Sequence, residues 1–224
     1  MDPLLGLLQL VDSSFPSGAF TLSHGLETLI ADGAVRSPED LEAVLRISLL
    51  DRLARADLVV LLAVHRAAAL DEVLGHDRRL SSVKLAADDR IASQRVGRRL
   101  AVEASRLVNN ELLAGYVAAL ADGRAPGNSA VASGLATRAF GVPASDAAIG
   151  ACWGFATGLC AAAVRLGLIG HGNAQRVLRG AGPIMREAVE RAATSDPRDL
   201  RPSAPQLDVA LARHETAAAH LFAS

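Results

Sequence analysis

The chain has 224 residues, half of them hydrophobic, and its 23 basic and 24 acidic side chains give a formal net charge of −1 at pH 7. This balance excludes the strongly basic surface that attracts nucleic acid or an anionic membrane, so we expect neither as a partner. Two cysteines are too few for the disulfide framework of a small secreted domain, and no basic residue precedes the first apolar run. We therefore expect a cytoplasmic protein.

Alanine and leucine dominate the hydrophobic residues, and both favour helix. The length permits one sizeable core, and no segment shows sustained alternation of apolar and polar residues. We predict an all-α fold, a single-domain helical bundle of about eight to ten helices with a C-terminal tail helix. The predicted division is a helical body over 1–194 and a proline-containing strap with a partner-binding tail over 195–224.

The stretch from Leu4 to Gly33 predicts two short helices joined by a polar turn. Two apolar stripes at helical spacing mark the helices, which we expect to bury them: Leu4, Leu7, Leu8 and Val11, then Leu22, Leu26, Leu29 and Ile30. Between them, the segment 12–20 contains Pro16, which resists helix continuation, and Gly18, which permits unusual backbone angles. We expect Ser23, His24 and Glu27 to be exposed beyond this turn.

The middle of the chain predicts several helices with charged boundaries. Ser37 and Pro38 mark a helix start, the interval 51–57 divides two helices, and Gly75 marks a possible break. Another helix opens at Asp88. We expect its inner face to contain Ile91, Val96, Leu100, Ala104, Leu107 and Val108, and its outer face Arg90, Arg95, Arg98, Arg99 and Arg106.

In the last third, the uncharged segment 147–164 is better interpreted as a buried central helix than as a membrane span, because alanine and glycine drive insertion weakly. Its glycines at 150, 154 and 158 share one face, which predicts a helix crossing. A helix follows over 173–193 with Pro183 near its middle. The segment 196–205 predicts a linker or an extended strap, and 207–222 a tail helix.

Catalytic and metal-binding patterns are weak in this sequence. Ser23 and His24, with Asp12 nearby, contain the residue types of a triad, but no nucleophile-elbow sequence surrounds either serine. The histidines are dispersed, and we favour a structural or partner role for His171 over metal contact. No phosphate-binding glycine motif follows a strand. We expect no enzyme activity, no cofactor and no resident metal site.

Four groups of residues carry a resemblance to a known family. They are Leu7 to Leu10 with Asp12, Phe15 to Phe20 and Ser23 to Glu27; Arg90 with Gly97 to Leu100; Ala163 to Leu166 with Gly170 and Gln175; and Pro205, Leu207, Asp208, His214, Glu215 and Leu221 to Ser224. Together they resemble the urease accessory protein UreF family over nearly the whole chain. The sequence departs from the family pattern at His24, Asn128, Leu168, His171 and Ala174, where tyrosine, histidine, proline, glutamine and glycine are usual.

The resemblance implies a non-enzymatic, all-helical, cytoplasmic protein that assists nickel insertion into apo-urease. It implies a scaffold that bridges the accessory protein UreD, also called UreH, and the GTPase UreG, and it implies a homodimer. The alternatives are an orphan helical adaptor without a link to urease and, less favoured, a hydrolytic enzyme that uses Ser23 and His24, with His171 as a further member of its site.

Candidate partner contacts follow from the resemblance and from side-chain chemistry. They are His24, Glu27, Arg98, Arg99, Arg165, His171, Gln175, His214, Glu215, Leu221 and Phe222. We expect Leu207, Leu211, Leu221 and Phe222 to form an apolar tail face that docks in a groove of UreD/UreH. Glu27, Arg98, Arg99 and Arg165 are candidates for the GTPase surface, although an intramolecular ion pair is an equal alternative for Arg165.

Overall fold

The computed structural model of the chain describes residues 2–19 and 22–214. Within those ranges the protein contains twelve α-helices and no strand, so the all-α prediction is confirmed. The helices are α1 (Pro3–Val11), α2 (Leu26–Ala31), α3 (Pro38–Ile47), α4 (Asp57–Arg66), α5 (Leu70–Val83), α6 (Ala87–Leu107), α7 (Glu111–Ala121), α8 (Ser129–Ala139), α9 (Ala144–Arg165), α10 (His171–Gly180), α11 (Gly182–Ala193) and α12 (Pro205–His214).

Side-chain caps set several helix starts, as the sequence indicates. The Ser37 hydroxyl accepts a hydrogen bond from the backbone amide of Asp40, and the Asp40 carboxylate accepts one from the amide of Ser37 in return. This reciprocal pair satisfies amides that the first helical turn leaves without partners. Pro38 occupies the first turn of α3, where its missing amide hydrogen costs nothing.

A break separates α3 from α4 at the charged interval that predicted one. A π-helical turn (Ser48–Arg52) continues α3, and a 3₁₀ turn (Leu53–Arg55) precedes α4. The prediction of a second break at Gly75 is wrong, because Gly75 lies inside α5 with open space around its Cα.

The core lies around α8, which packs between α4 and α6 and against α9. Two close backbone approaches allow this arrangement. A Cβ at Gly134 of α8 would lie 2.8 Å from the carbonyl oxygen of Leu61 in α4, and one at Gly97 of α6 would lie 2.6 Å from the carbonyl carbon of Asn128. Both glycines are therefore required by packing.

The long helix α9 packs against α1, α4, α8, α10 and α11, as predicted for a central helix. It is also the one described helix that is long and apolar enough to cross a membrane, and half of its most apolar window is buried inside the protein. The predicted glycine crossing forms only at Gly150, where a Cβ would lie 2.6 Å from a Leu7 methyl group of α1. Gly154 and Gly158 have no described atom that a Cβ would meet within 4 Å.

The C-terminal third differs from the prediction in two respects. Residues 173–193 belong to two helices, α10 and α11, because Pro183 lies in the first turn of α11 and cannot occupy a helix centre. The strap ahead of α12 is docked on the body, where the amides of Arg201 and Ser203 donate to the carbonyls of Arg55 and Asp51 at 3.3 and 3.0 Å.

Several expected core positions are exposed. Leu4 and Leu8 of α1 are largely exposed, since α1 turns Gly6 and Leu7 inward instead. Ile91 and Leu107 of α6 are also exposed, whereas Val96, Leu100 and Ala104 are buried as predicted. The predicted helical spacing agrees with α1 and α6, but fewer of their apolar positions are buried than the sequence predicts.

Candidate functional site

A cavity of about 530 Å³ opens at the side of the bundle. Its walls come from α1, the turn after α1, α4, α6, α8 and α9. Most of the surface is apolar, and its larger side chains are Leu7, Val11, Leu58, Leu61, Trp153 and Phe155. One wall is charged, which is unusual inside a helical body.

The charged wall consists of Arg52, Asp57, Lys84 and Asp89, which form a chain of ion pairs. The Lys84 ammonium lies 3.0 Å from Asp57 and 3.5 Å from Asp89, and the Arg52 guanidinium lies 3.2 Å from Asp89. Two positive and two negative side chains therefore neutralise one another. The series of ion pairs continues out of the cavity to α12, because the Arg52 guanidinium also lies 3.7 Å from the Asp208 carboxylate.

Ion pairing keeps Asp89 and Lys84 of this wall ionised despite their burial. Burial raises the pKa of Asp89, but Lys84 and Arg52 oppose this effect and lower the pKa to about 2. Burial likewise lowers the pKa of Lys84, yet Asp57 and Asp89 raise it by more, so the pKa lies above its usual value. Asp89 and Lys84 are therefore both charged at neutral pH.

His24 borders the same cavity and is neutral. Burial lowers the pKa of its imidazole to about 4, and the attraction of Asp89 only partly offsets this effect. The ring packs on Phe155 with 4.5 Å between ring centroids. Its backbone has a φ of 52°, a left-handed conformation that is rare outside glycine. The expectation of an exposed His24 is wrong, because the side chain is half-buried.

The structure does not assemble the triad that the sequence allowed. Ser23 is fully buried, against the expectation of exposure, and its hydroxyl has no hydrogen-bond partner among the described residues. The Asp12 carboxylate accepts hydrogen bonds from the amide and hydroxyl of Ser14 instead. His171 lies at the start of α10, on the exposed surface. These contacts do not favour the hydrolase alternative.

An exposed apolar face adjoins the cavity. Leu4, Leu5 and Leu8 of α1 are 63%, 59% and 54% exposed, and Trp153 of α9 is 42% exposed. Leu8 and Trp153 both border the cavity. We call these four residues the α1 face. Exposed leucines in a cluster with a tryptophan are typical of a protein-binding surface.

The two arginines expected at a partner surface have different surroundings. Arg98 makes intramolecular hydrogen bonds. Its guanidinium donates to the carbonyls of Pro126, Ala125 and Leu120 at 3.0, 3.2 and 3.4 Å. It thereby fixes the loop after α7. Arg99 is exposed beside Gly18, whose added Cβ would lie 3.4 Å from the guanidinium.

The remaining sequence-predicted residues are scattered over the surface. Arg165 ends α9 and is exposed, as are His171 and Gln175 of α10. Glu27 is half-buried in the first turn of α2. His214 ends α12, and Glu215, Leu221 and Phe222 lie outside the described residues.

Leu207 and Leu211 do not form a free docking face. Both are buried, as is Ala210, because α12 packs against α2 and α6 of the same chain. Leu211 lies over Gly25, where an added Cβ would meet its Cγ at 3.3 Å. The apolar stripe was predicted correctly, but its partner is the body of the protein.

A second polar cluster, which the sequence interpretation missed, is buried at Asp77. Its carboxylate accepts hydrogen bonds from the Tyr116 hydroxyl at 2.7 Å, the Gly127 amide at 2.9 Å and the Asn128 amide at 3.0 Å. The Asn128 side-chain amide also donates to it at 2.7 Å. Burial, followed by the charge of Asp77, raises the pKa of Tyr116, so the phenol stays protonated. The cluster is a structural anchor for the loop before α8.

Among the described residues, no group of three or more His, Cys, Asp or Glu side chains could hold a metal ion. The charged side chains of the cavity wall are paired with one another, whereas the α1 face exposes apolar side chains that another molecule can contact. The arrangement is therefore suited to binding macromolecules through apolar contacts.

The fold and these surfaces define a class, that of all-helical proteins with a large lateral cavity and an unpartnered apolar helix face. The family profile described as UreF matches residues 35–182. The chain is 30% identical to the urease accessory protein UreF of Trichodesmium erythraeum over 98% of this chain and 96% of that protein. It is 30% identical to UreF 1 of Brucella melitensis, over 98% and 92%, and 31% identical to UreF of an Arthrobacter species, over 98% and 96%. The chain belongs to the UreF family of urease accessory proteins.

Proposed function

We propose that this protein is a non-enzymatic, cytoplasmic scaffold that bridges UreD/UreH and the GTPase UreG during nickel insertion into apo-urease. Membership of the UreF family supports the link to urease. The observation that carries the scaffold role is the α1 face, an apolar surface that the described part of the chain leaves uncovered. Exposing several leucines and a tryptophan to water is unfavourable unless another protein covers them.

The proposed scaffold separates its partner surfaces. Arg99, Arg165, His171 and Gln175 are exposed and are the proposed polar contacts with the GTPase. Arg98 acts indirectly, by holding the loop after α7 in place. A second copy of the chain is a further partner in this proposal, consistent with the homodimer implied by the family resemblance.

The tail after α12 is the proposed recognition element for UreD/UreH. Because Leu207 and Leu211 are part of the core, the partner-binding segment begins after His214 and relies on Leu221 and Phe222. An apolar terminal segment can dock in a groove of a partner, with burial offsetting the cost of ordering.

A deletion of residues 215–224 tests this assignment. We expect the shortened chain to lose copurification with UreD/UreH while its circular dichroism and thermal unfolding stay unchanged, because the buried part of α12 is retained. The double substitution Leu221→Ser and Phe222→Ser should have the same effect in a full-length chain. The matched control replaces Ala218 and Ala219 by serine and should bind normally. Undiminished binding by the shortened chain would show that the tail is not the recognition element.

A further inference from the structure

The docked C-terminal strap lies against the one irregular segment in the long helical run from α3 to α4. The π-helical and 3₁₀ turns interrupt the regular hydrogen-bond pattern there, and such interruptions leave backbone groups in need of other partners. The carbonyls of Asp51 and Arg55 accept hydrogen bonds from the strap amides of Ser203 and Arg201. The strap therefore completes the hydrogen bonding of the break.

Arg52 lies in the same break and contacts two different parts of the molecule. Its guanidinium pairs with Asp89 of the cavity wall at 3.2 Å and with Asp208 of α12 at 3.7 Å, and its side chain is only 13% exposed. Asp208 in turn accepts a hydrogen bond from the amide of Ala204 at 3.0 Å, at the junction of strap and helix. One guanidinium thus joins the break, the cavity wall and the C-terminal helix.

The charges of the cavity wall remain balanced without Asp208 of α12. With Asp208 in place, the chain of ion pairs has three carboxylates and two cations. Without Asp208, the two positive charges of Arg52 and Lys84 still equal the two negative charges of Asp57 and Asp89. Removal of α12 therefore leaves no unpaired buried charge, the state that is most costly in a protein interior.

We propose that Arg52 is a positioning residue that couples the docking of the C-terminal helix to the conformation of the α3–α4 break and its charged cavity wall. Docking of α12 gives Arg52 its second carboxylate and aligns the strap with the carbonyls of the break. Undocking returns Arg52 to Asp89 alone and leaves those carbonyls without their strap donors. Docking or undocking of the C-terminal helix thereby changes the conformation of the break and of the charged cavity wall.

Asp208→Asn tests the coupling by removing one charge. Asparagine keeps an oxygen that can accept from the Ala204 amide, so the start of α12 is preserved. The matched control is Asp32→Asn, which removes the ion pair between Asp32 and Arg213 of α12, at a site away from the break. Hydrogen exchange followed by mass spectrometry on the full-length chain reports peptides over 48–56, 201–204 and 205–213 separately.

We expect Asp208→Asn to accelerate exchange in the break and in the strap by roughly three- to tenfold, the range expected for loss of a partly buried ion pair. Asp32→Asn leaves the pair between Arg52 and Asp208 in place, so it should accelerate exchange over 205–213 without a comparable change over 48–56. Unchanged exchange over 48–56 in Asp208→Asn, or the same pattern in both variants, would overturn the coupling.

Arg52→Lys provides a second test that leaves Asp208 intact, and by itself it should accelerate exchange over 48–56 and 201–204. Lysine keeps the positive charge beside Asp89 but lacks the planar fork that reaches two carboxylates. Its effect on the strap should be non-additive with Asp208→Asn, because both changes remove the same contact. Additive effects would assign Arg52 a local structural role and contradict the proposal.

Discussion

At the scale of single residues, His24 illustrates how burial decides protonation. The imidazole is neutral at pH 7 because burial lowers its pKa to about 4, whereas an unfolded histidine titrates near pH 6.5. Between about pH 4 and pH 6.5, His24 is protonated in the unfolded chain and neutral in the folded chain. The contribution of His24 to folding stability is therefore present above about pH 6.5 and falls as the pH decreases towards 4.

This linkage predicts a pH-dependent stability that a single substitution removes. We expect the free energy of unfolding to fall between pH 7 and pH 5, with about 1 to 2 kcal/mol of the loss due to His24. His24→Asn should show that much less loss, since asparagine does not titrate and tolerates the left-handed backbone at this position. Urea unfolding at the two pH values measures the difference. An equal pH dependence in both proteins would mean that His24 is already solvated.

Asp77 shows why some important residues escape sequence reasoning. Along the chain it lies within an amphipathic helix rich in charge, where a carboxylate is normally solvated. Its hydrogen-bond donors Tyr116, Gly127 and Asn128 are 39, 50 and 51 residues away. No local periodicity encodes contacts over that separation, whereas the helix start at Ser37 and Pro38 is recognisable because a cap is local.

At the scale of helices, glycine has two different roles in this protein. Gly97 allows α6 to pass over the backbone before α8, and an added Cβ would lie 2.6 Å from the Asn128 carbonyl carbon. Gly154 lies in the middle of α9, and an added Cβ would meet nothing within 4 Å. The same residue type is a packing requirement in one helix and an energetic cost in the other.

Alanine substitutions at these two glycines should have opposite signs. We expect Gly97→Ala to destabilise the protein by at least about 2 kcal/mol, because the obstructing atoms are backbone and cannot rotate away. Gly154→Ala should stabilise the isolated chain by about 0.5 to 1 kcal/mol through helix propensity. Urea unfolding of the two variants measures both values. A tolerated Gly97→Ala would show that the helices can move apart.

The helix scale also marks the limit of periodicity as a guide. Spacing identified apolar stripes in α1, α6 and α12, but it could not specify what covers each stripe. In α12, Leu211 packs on the body, whereas Leu4 and Leu8 of α1 are exposed. An apolar stripe predicts that a helix face is buried. The surface that covers it can belong to the same chain or to another protein.

The candidate site was partly visible in the sequence. The interval 51–57 was recognised as a boundary between helices, yet the pairing of its charges was not. Arg52 and Asp89 are 37 residues apart, and Lys84 and Asp57 are 27 apart, so only the tertiary fold brings them together. The exposed Arg165, His171 and Gln175 remain predictions as partner contacts.

At the scale of the whole molecule, the protein combines a well-packed helical core with a few surfaces that its own described residues leave uncovered. Its net charge of −1 provides no strong overall field to steer partners. In the proposed function, recognition would therefore depend on local features, chiefly the α1 face and residues 215–224. Separate binding surfaces would suit the proposed scaffold, which holds different proteins at once.

We propose that this chain is needed to load nickel into urease, and deletion of its gene in a urease-producing host tests this role. Urease purified from the deletion strain, grown at normal nickel supply, is assayed for activity and for bound nickel. We expect intact apo-urease that lacks most of its nickel and activity, with both restored by the full-length chain and not by the chain lacking 215–224. Fully active, nickel-loaded urease in the deletion strain would contradict the account.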